Sequence, residues 1–214
     1  MKKTFLPAVG LCLCIANLTV AQPPDNRHDR ARVIFDGRTL EGWKVASEVF
    51  FEKHGQVRLV DRQLVLDAGS PGTGIVWQGP MPKERYELLV EAARLDGNDF
   101  FCGVTFPVGD EFCTFIAGGW GGQVTGLSNV DGLSAEENAT TGYGDFQQGQ
   151  FYRFRIRVTP ERIEVWQDQR RIVNQERSGH RFGIWFEQEP MRPLGIATWY
   201  TKAAIRRVEL KPLP

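Results

Sequence analysis

Between Phe151 and Val158 the chain alternates without a break. Tyr152, Phe154, Ile156 and Val158 are apolar, and Arg153, Arg155 and Arg157 separate them. Successive side chains of a strand point to opposite faces, so this stretch reads as a strand with one core face and one wet face. Thr159-Pro-Glu161 turns the chain into Arg162-Ile-Glu-Val-Trp166, which puts Ile163 and Val165 on one face and Glu164 and Trp166 on the other. Asp168-Gln169 leads on to Arg171-Ile-Val173, completing a meander. The pattern recurs upstream. Residues 57–60 and 63–67 flank Asp61-Arg62 as a hairpin, residues 74–79 form a short strand between glycines, and residues 86–95 place Tyr86, Leu88, Val90 and Ala92 on one face. No helical period of useful length competes with these strands, and no repeat or linker divides them. The expected fold is an all-β antiparallel β-sandwich, with residues 32–214 as one domain.

The N-terminus reads differently. Met1-Lys-Lys-Thr followed by an apolar run from Phe5 to Val20 and by Ala21 has the layout of a secretory signal peptide over residues 1–21. Residues 22–31 are polar and charged, as in a mobile tail. Export to the periplasm or exterior of a bacterium is therefore expected, with no transmembrane segment in the mature chain. Acidic and basic residues number 26 each. Lys2 and Lys3 leave with the leader, so the mature chain is weakly acidic and nucleic acid is not an expected partner. Cys102 and Cys113 are the cysteines that remain. Pro107-Val-Gly-Asp110 between them signals a turn, and a hairpin of residues 100–106 and 111–117 would carry them on neighbouring strands. In an oxidising compartment a Cys102–Cys113 disulfide is one expectation, and two buried thiols are the other.

The middle of the chain departs from regular strands. Four glycines surround Trp120 in Gly118-Gly-Trp-Gly-Gly122, followed by a polar loop containing Asn129, Asp131, Glu136, Glu137 and Asn138. Glycine adds no side chain to pack, so Trp120 is expected to line a pocket with Asn129 and Asp131. Trp77 and Trp185 are further candidates, because indole faces stack on sugar rings. Asn138-Ala-Thr140 matches a glycosylation sequon, which the bacterial look of the leader discounts.

Phe35-Asp-Gly-Arg-Thr-Leu-Glu-Gly-Trp43 and the segment from Ala197-Thr-Trp-Tyr-Thr201 to Ile205-Arg-Arg-Val-Glu-Leu210 resemble the opening and closing motifs of the bacterial domain called DUF1080, or 3-keto-disaccharide hydrolase. The resemblance spans roughly residues 33–211. It implies a concanavalin A-like jelly roll, and hydrolysis or β-elimination of 3-keto-glycosides. In that chemistry an oxidised C3 acidifies the C2 proton, so that a base can remove it and expel the C1 substituent. The sequence departs from the family in its centre. It has Asn98-Asp-Phe-Phe-Cys-Gly103 and Cys113-Thr-Phe-Ile-Ala117 where the family tends to carry an Asn-Ser-Gly motif and a Tyr-Glu-x-Gln-type strand.

Such a reaction needs a general base and an acid. Candidates are Asp131, Glu136, Glu187, Glu189 and His180, with Glu187 and Glu189 on one face if their segment is a strand. His28, His54 and His180 lack zinc-type spacing. No cofactor is expected, although Asn129, Asp131 and loop carbonyls are oxygen ligands of the kind calcium takes. The expectation is a carbohydrate-active enzyme. The alternatives are a non-catalytic carbohydrate-binding module that uses Trp120 as its platform and a structural adhesion domain. Two carboxylates, or a carboxylate and His180, converging near Trp120 would distinguish the enzyme.

Overall fold

The computed structural model describes residues 31–214. The leader and all but the last residue of the tail, His28 included, lie outside the described residues. In chain order the strands begin with β1 (Arg32–Phe35), β2 (Trp43–Val45), β3 (Val57–Val60), β4 (Gln63–Leu66) and β5 (Gly72–Trp77). Next come β6 (Tyr86–Asp96), β7 (Cys102–Val108), β8 (Glu111–Gly119), β9 (Val124–Ser128) and β10 (Gly142–Tyr143). The last are β11 (Phe151–Val158), β12 (Arg162–Gln167), β13 (Arg170–Glu176), β14 (Gly195–Trp199) and β15 (Lys202–Pro212). An eight-stranded sheet runs β13-β12-β11-β6-β15-β4-β3, with β1 added against β15. A seven-stranded sheet runs β10-β9-β8-β7-β14-β5-β2. Every paired register is antiparallel. The architecture is an antiparallel β-sandwich.

Alternation builds the core. Tyr86, Leu88, Val90 and Ala92 of β6 and Phe154, Ile156 and Val158 of β11 are fully buried, facing Val104, Phe106, Phe115 and Ile196 from the other sheet. Each such side chain contributes about 1.5–3 kcal/mol by leaving water. The two ends of the chain meet in the sheet, where Arg32 pairs with Leu210 and Val33 with Glu209. The motif around Trp43 is a closing device for this core. Its indole Nε1 donates to the Ile34 carbonyl at 2.8 Å, and its ring lies 5.3 Å from that of Trp77. Trp77 is 5% exposed and packs in this interior, so it offers no open indole face. The strands either side of Tyr200-Thr201 join different sheets, so that bend carries the chain from β14 across to β15.

The hairpin of β7 and β8 forms, but its register opposes Cys102 to Ala117 and Cys113 to Phe106. The two thiols are thus four positions apart along the ladder, out of disulfide reach. Both are free and buried, and burial pushes both thiols well above their ordinary pKa. No helix among the described residues is long and apolar enough to cross a membrane.

Candidate functional site

The outer face of the seven-stranded sheet carries the residues that alternate with the core: Thr105, Thr114 and Ile116, with Ser128 and Ala197 beside them. A second, smaller apolar cluster covers part of this face. Ile116, Val76 and Ala197 of the sheet meet Phe51, Phe100, Ala135 and Met191 from outside it. Where that cover stops, a cleft of about 420 Å³ remains. Thr114, Ile116 and Ser128 form its floor, and three loops form its walls.

The first wall is the turn after β8. Gly118 has φ +77°, and a Cβ there would lie 2.2 Å from Arg94 Nη2, so only glycine admits the guanidinium. Arg94, on β6 of the opposite sheet, is 9% exposed. It donates to the carbonyls of Gly118 at 3.0 Å and Gly122 at 2.7 Å, gripping both ends of the turn. Its guanidinium also lies 5.2 Å from the Phe101 ring centre. Trp120, at the apex with φ +45°, is thereby held into the cleft, 39% exposed.

Asp99 enters beside it. The Asp99 backbone N–H donates to Thr201 Oγ1 at 3.0 Å, and its carboxylate accepts from the Phe100 N–H at 2.7 Å. Burial raises the proton affinity of this carboxyl above the ordinary value. The N–H groups of Phe100 and Trp120 and the charge of Arg94 oppose the rise without cancelling it. Trp199 stacks on Phe100, ring centres 6.0 Å apart and 22° from parallel.

The second wall is the 129–141 loop. Asn138 is buried and folds it, its Nδ2 donating to Leu127, Leu133 and Ser134 carbonyls while its Oδ1 accepts from Thr140. A side chain so engaged cannot serve as a glycosylation acceptor. Ser134-Ala-Glu-Glu137 closes as a turn in which the Glu137 carboxylate accepts from both the Ser134 hydroxyl at 2.7 Å and its N–H at 3.3 Å. These bonds lower the Glu137 pKa. Ser134, Glu136 and Glu137 line the cleft.

The third wall is a strap leading to the short 3-10 helix Phe186–Met191. Asn129 and Asp131 stitch the strap to β9. The Asn129 N–H donates to Gly183 at 2.6 Å, the Asp131 N–H donates to Arg181 at 2.8 Å, and the Asp131 carboxylate meets His180 Nδ1 at 2.7 Å. The Arg181 N–H and His180 lower the Asp131 pKa. Asp131 and His180 thus pair with each other, outside the cleft that Trp120 lines. Asn129 is 8% exposed and accepts from Ser128 Oγ at 2.9 Å, behind the floor. Among the described residues, no group of three or more His, Cys, Asp or Glu side chains could hold a metal ion.

The strap delivers Trp185, Glu187 and Gln188 to the cleft. Glu189 turns away to solvent and pairs with Arg192. The shared strand face expected for Glu187 and Glu189 does not exist. With three residues per turn, positions i and i+2 point in different directions, and Pro190 could not donate to a strand ladder. Glu187 Oε2 and Gln188 Oε1 are buried with no hydrogen-bond partner.

Four carboxylates, Asp99, Glu136, Glu137 and Glu187, therefore share one cleft with Trp120, Trp185 and Trp199. Such a set can bind ring faces, exchange protons with a ligand and accept from hydroxyls. Asp99 and Arg94 are absent from the sequence expectations. The signal for Asp99 was a turn acid placed directly before the apolar pair Phe100-Phe101. For Arg94 there was none, because its partners are backbone carbonyls in the other sheet.

Solved structures share this fold at low identity. A Crh5 transglycosylase in complex with NAG has 10% identity and a TM-score of 0.60, over 86% of this chain and 84% of that one. A native glycosidic hydrolase has 8% identity and a TM-score of 0.56, over 87% and 97%. The exoplasmic/lumenal domain of VIP36, in its Ca2+/Man3GlcNAc-bound form, has 12% identity and a TM-score of 0.56, over 88% and 90%. Among curated proteins no sequence matches. Residues 30–211 match the family model of the 3-keto-alpha-glucoside-1,2-lyase-like domain, and the chain belongs to that family.

Proposed function

We propose that this protein is a carbohydrate-active enzyme that cleaves a glycoside, with a 3-keto-glycoside as its substrate, in the cleft between Trp120 and Glu187. The observation that carries the reading is the contrast between two carboxyls in one cleft. Asp99 has its proton affinity raised by burial, and Glu187 presents an unpartnered oxygen. A carboxyl that holds its proton more tightly can serve as the acid, and a carboxylate with an unpartnered acceptor oxygen in the same cleft can serve as the base. In the proposed elimination Glu187 takes the C2 proton, the C1–O bond breaks as the C1–C2 double bond forms, and Asp99 protonates the departing oxygen. The indoles of Trp120 and Trp185 would flank the ring. The family match supports the substrate class. The departures from the family pattern around Asp99 and Thr114 fall on the cleft itself, so the catalytic groups named here belong to this chain.

A binding module would use aromatics and amides without paired acids, and the four carboxylates speak against it. Export belongs to the same proposal, and the mass of the mature N-terminus in the secreted fraction checks it. The decisive test incubates purified protein with aryl glucosides and their 3-keto forms and follows release of the aglycone. Release from the keto form that disappears in Glu187→Gln supports the reading. Tight sugar retention with no turnover of either form overturns it.

A further inference from the structure

The cleft is electrostatically one-sided. Glu136, Glu137 and Glu187 line it, none of them takes part in an ion pair among the described residues, and no Lys, Arg or His side chain lines it. The nearest buried cation, Arg94, sits behind the wall and is spent on the Gly118 and Gly122 carbonyls and on opposing Asp99. A cleft lined by one sign of charge concentrates the opposite sign.

A second feature points the same way. Gln188 lines the cleft and is 5% exposed, and its Oε1 is buried without a donor; Glu187, which also lines the cleft, has its Oε2 buried and unpartnered as well. Buried acceptors without donors cost stability, and such costs persist where a ligand supplies what is missing. A group placed here must donate hydrogen bonds and gains if it carries positive charge. Hydroxyls meet the first requirement only. An ammonium meets both, with three donors on one centre.

We propose that the cleft selects amino sugars: a free sugar ammonium sits against Glu187 and Gln188, neutral sugars are accepted less well, and uronic acids are excluded. The inference rests on the glycoside reading above and names its substrate class. Neutralising the amine by acetylation removes the charge and two of the three donors, so an N-acetylated sugar should behave as a neutral one.

Calorimetric titration of the full chain in chelator-containing, low-salt buffer with methyl glucosaminide, methyl glucoside, methyl N-acetylglucosaminide and methyl glucuronide tests this. The glucosaminide is expected to bind about tenfold more tightly than the glucoside. The advantage should shrink in high salt and vanish in Glu187→Gln, and the glucuronide should show no binding. Gln188→Leu, which needs no donor, should lose part of the advantage while folding normally. Equal affinities for glucosaminide and glucoside, or an advantage that survives in Glu187→Gln, overturn the inference and leave the glycoside reading standing. Binding of none of the four sugars, together with no aglycone release from any keto-glycoside, overturns both.

Discussion

The outer faces of the two sheets are built from the same residue types and do opposite things with them. On the eight-stranded sheet Glu87, Glu91 and Glu164 all meet arginine. Glu87 takes Arg155 at 3.0 Å and Arg157 at 2.7 Å, Glu164 takes Arg171 at 2.6 Å, and Glu91 takes Arg206 at 2.6 Å. The tryptophan of that face is covered too, with the Arg155 guanidinium 3.8 Å from the Trp166 ring centre. On the seven-stranded sheet the indoles of Trp120 and Trp185 stand open, and Glu136, Glu137 and Glu187 have no cation. Aromatic and acidic content does not mark a site. What marks it is that the acids are left without a cation and the indoles without a cover. The register explains the difference: Arg157 lies directly opposite both Glu87 and Glu164, so pairing on that face is a product of the ladder itself. The cleft acids come from loops and a 3-10 helix, which no ladder pairs.

If this contrast is functional, the largest effect belongs to Asp99. Asp99→Asn should lower kcat for aglycone release by about 10²–10⁴-fold. Thermal unfolding adds a signed check. The folded pKa of Asp99 lies above the ordinary 3.8, so below that value the group is protonated in both states and costs nothing. Above the folded value only the native state carries the burial penalty. The melting temperature of Asp99→Asn relative to the parent should therefore rise as the pH is raised through the folded pKa. A difference that stays constant with pH would remove the burial argument.

Arg94→Met comes next. It leaves the Gly118 and Gly122 carbonyls without their donor, and about 1–3 kcal/mol of stability should be lost in urea unfolding. A loss under 1 kcal/mol would show that the turn holds itself. Trp120→Ala should weaken sugar retention about tenfold, worth about 1.4 kcal/mol, with the melting temperature nearly unchanged. A large drop in melting temperature would instead make that indole structural. Smallest of all, Arg155→Ala on the opposite face should cost less than about 1 kcal/mol and leave turnover at the parental rate. A change in turnover would break the division between the two faces.

The strands were legible because their period is local. Tyr152, Phe154, Ile156 and Val158 announce a buried face within eight residues, and the glycines around Trp120 announce an exposed turn. The cleft was legible only in part. Trp120, Trp185, Glu136 and Glu187 stand out in the sequence, yet so do Asp131, His180 and Trp77, and no local pattern separates the first group from the second. Asp131 and His180 stitch the strap, and Trp77 fills the core, because of where β9 and β5 lie relative to segments far along the chain.

Period-2 hydrophobicity, turn residues and the two end motifs thus determined by themselves that this is a β-sandwich of the 3-keto-alpha-glucoside-1,2-lyase-like family. Only the tertiary structure decided that the cysteines stay apart, that Arg94 reaches through from the other sheet, and that Asp99 and Glu187 share one cleft. Side-chain alternation is fixed by neighbours two residues away. Which acid is left unpaired and half-buried depends on the register and packing of segments about a hundred residues apart.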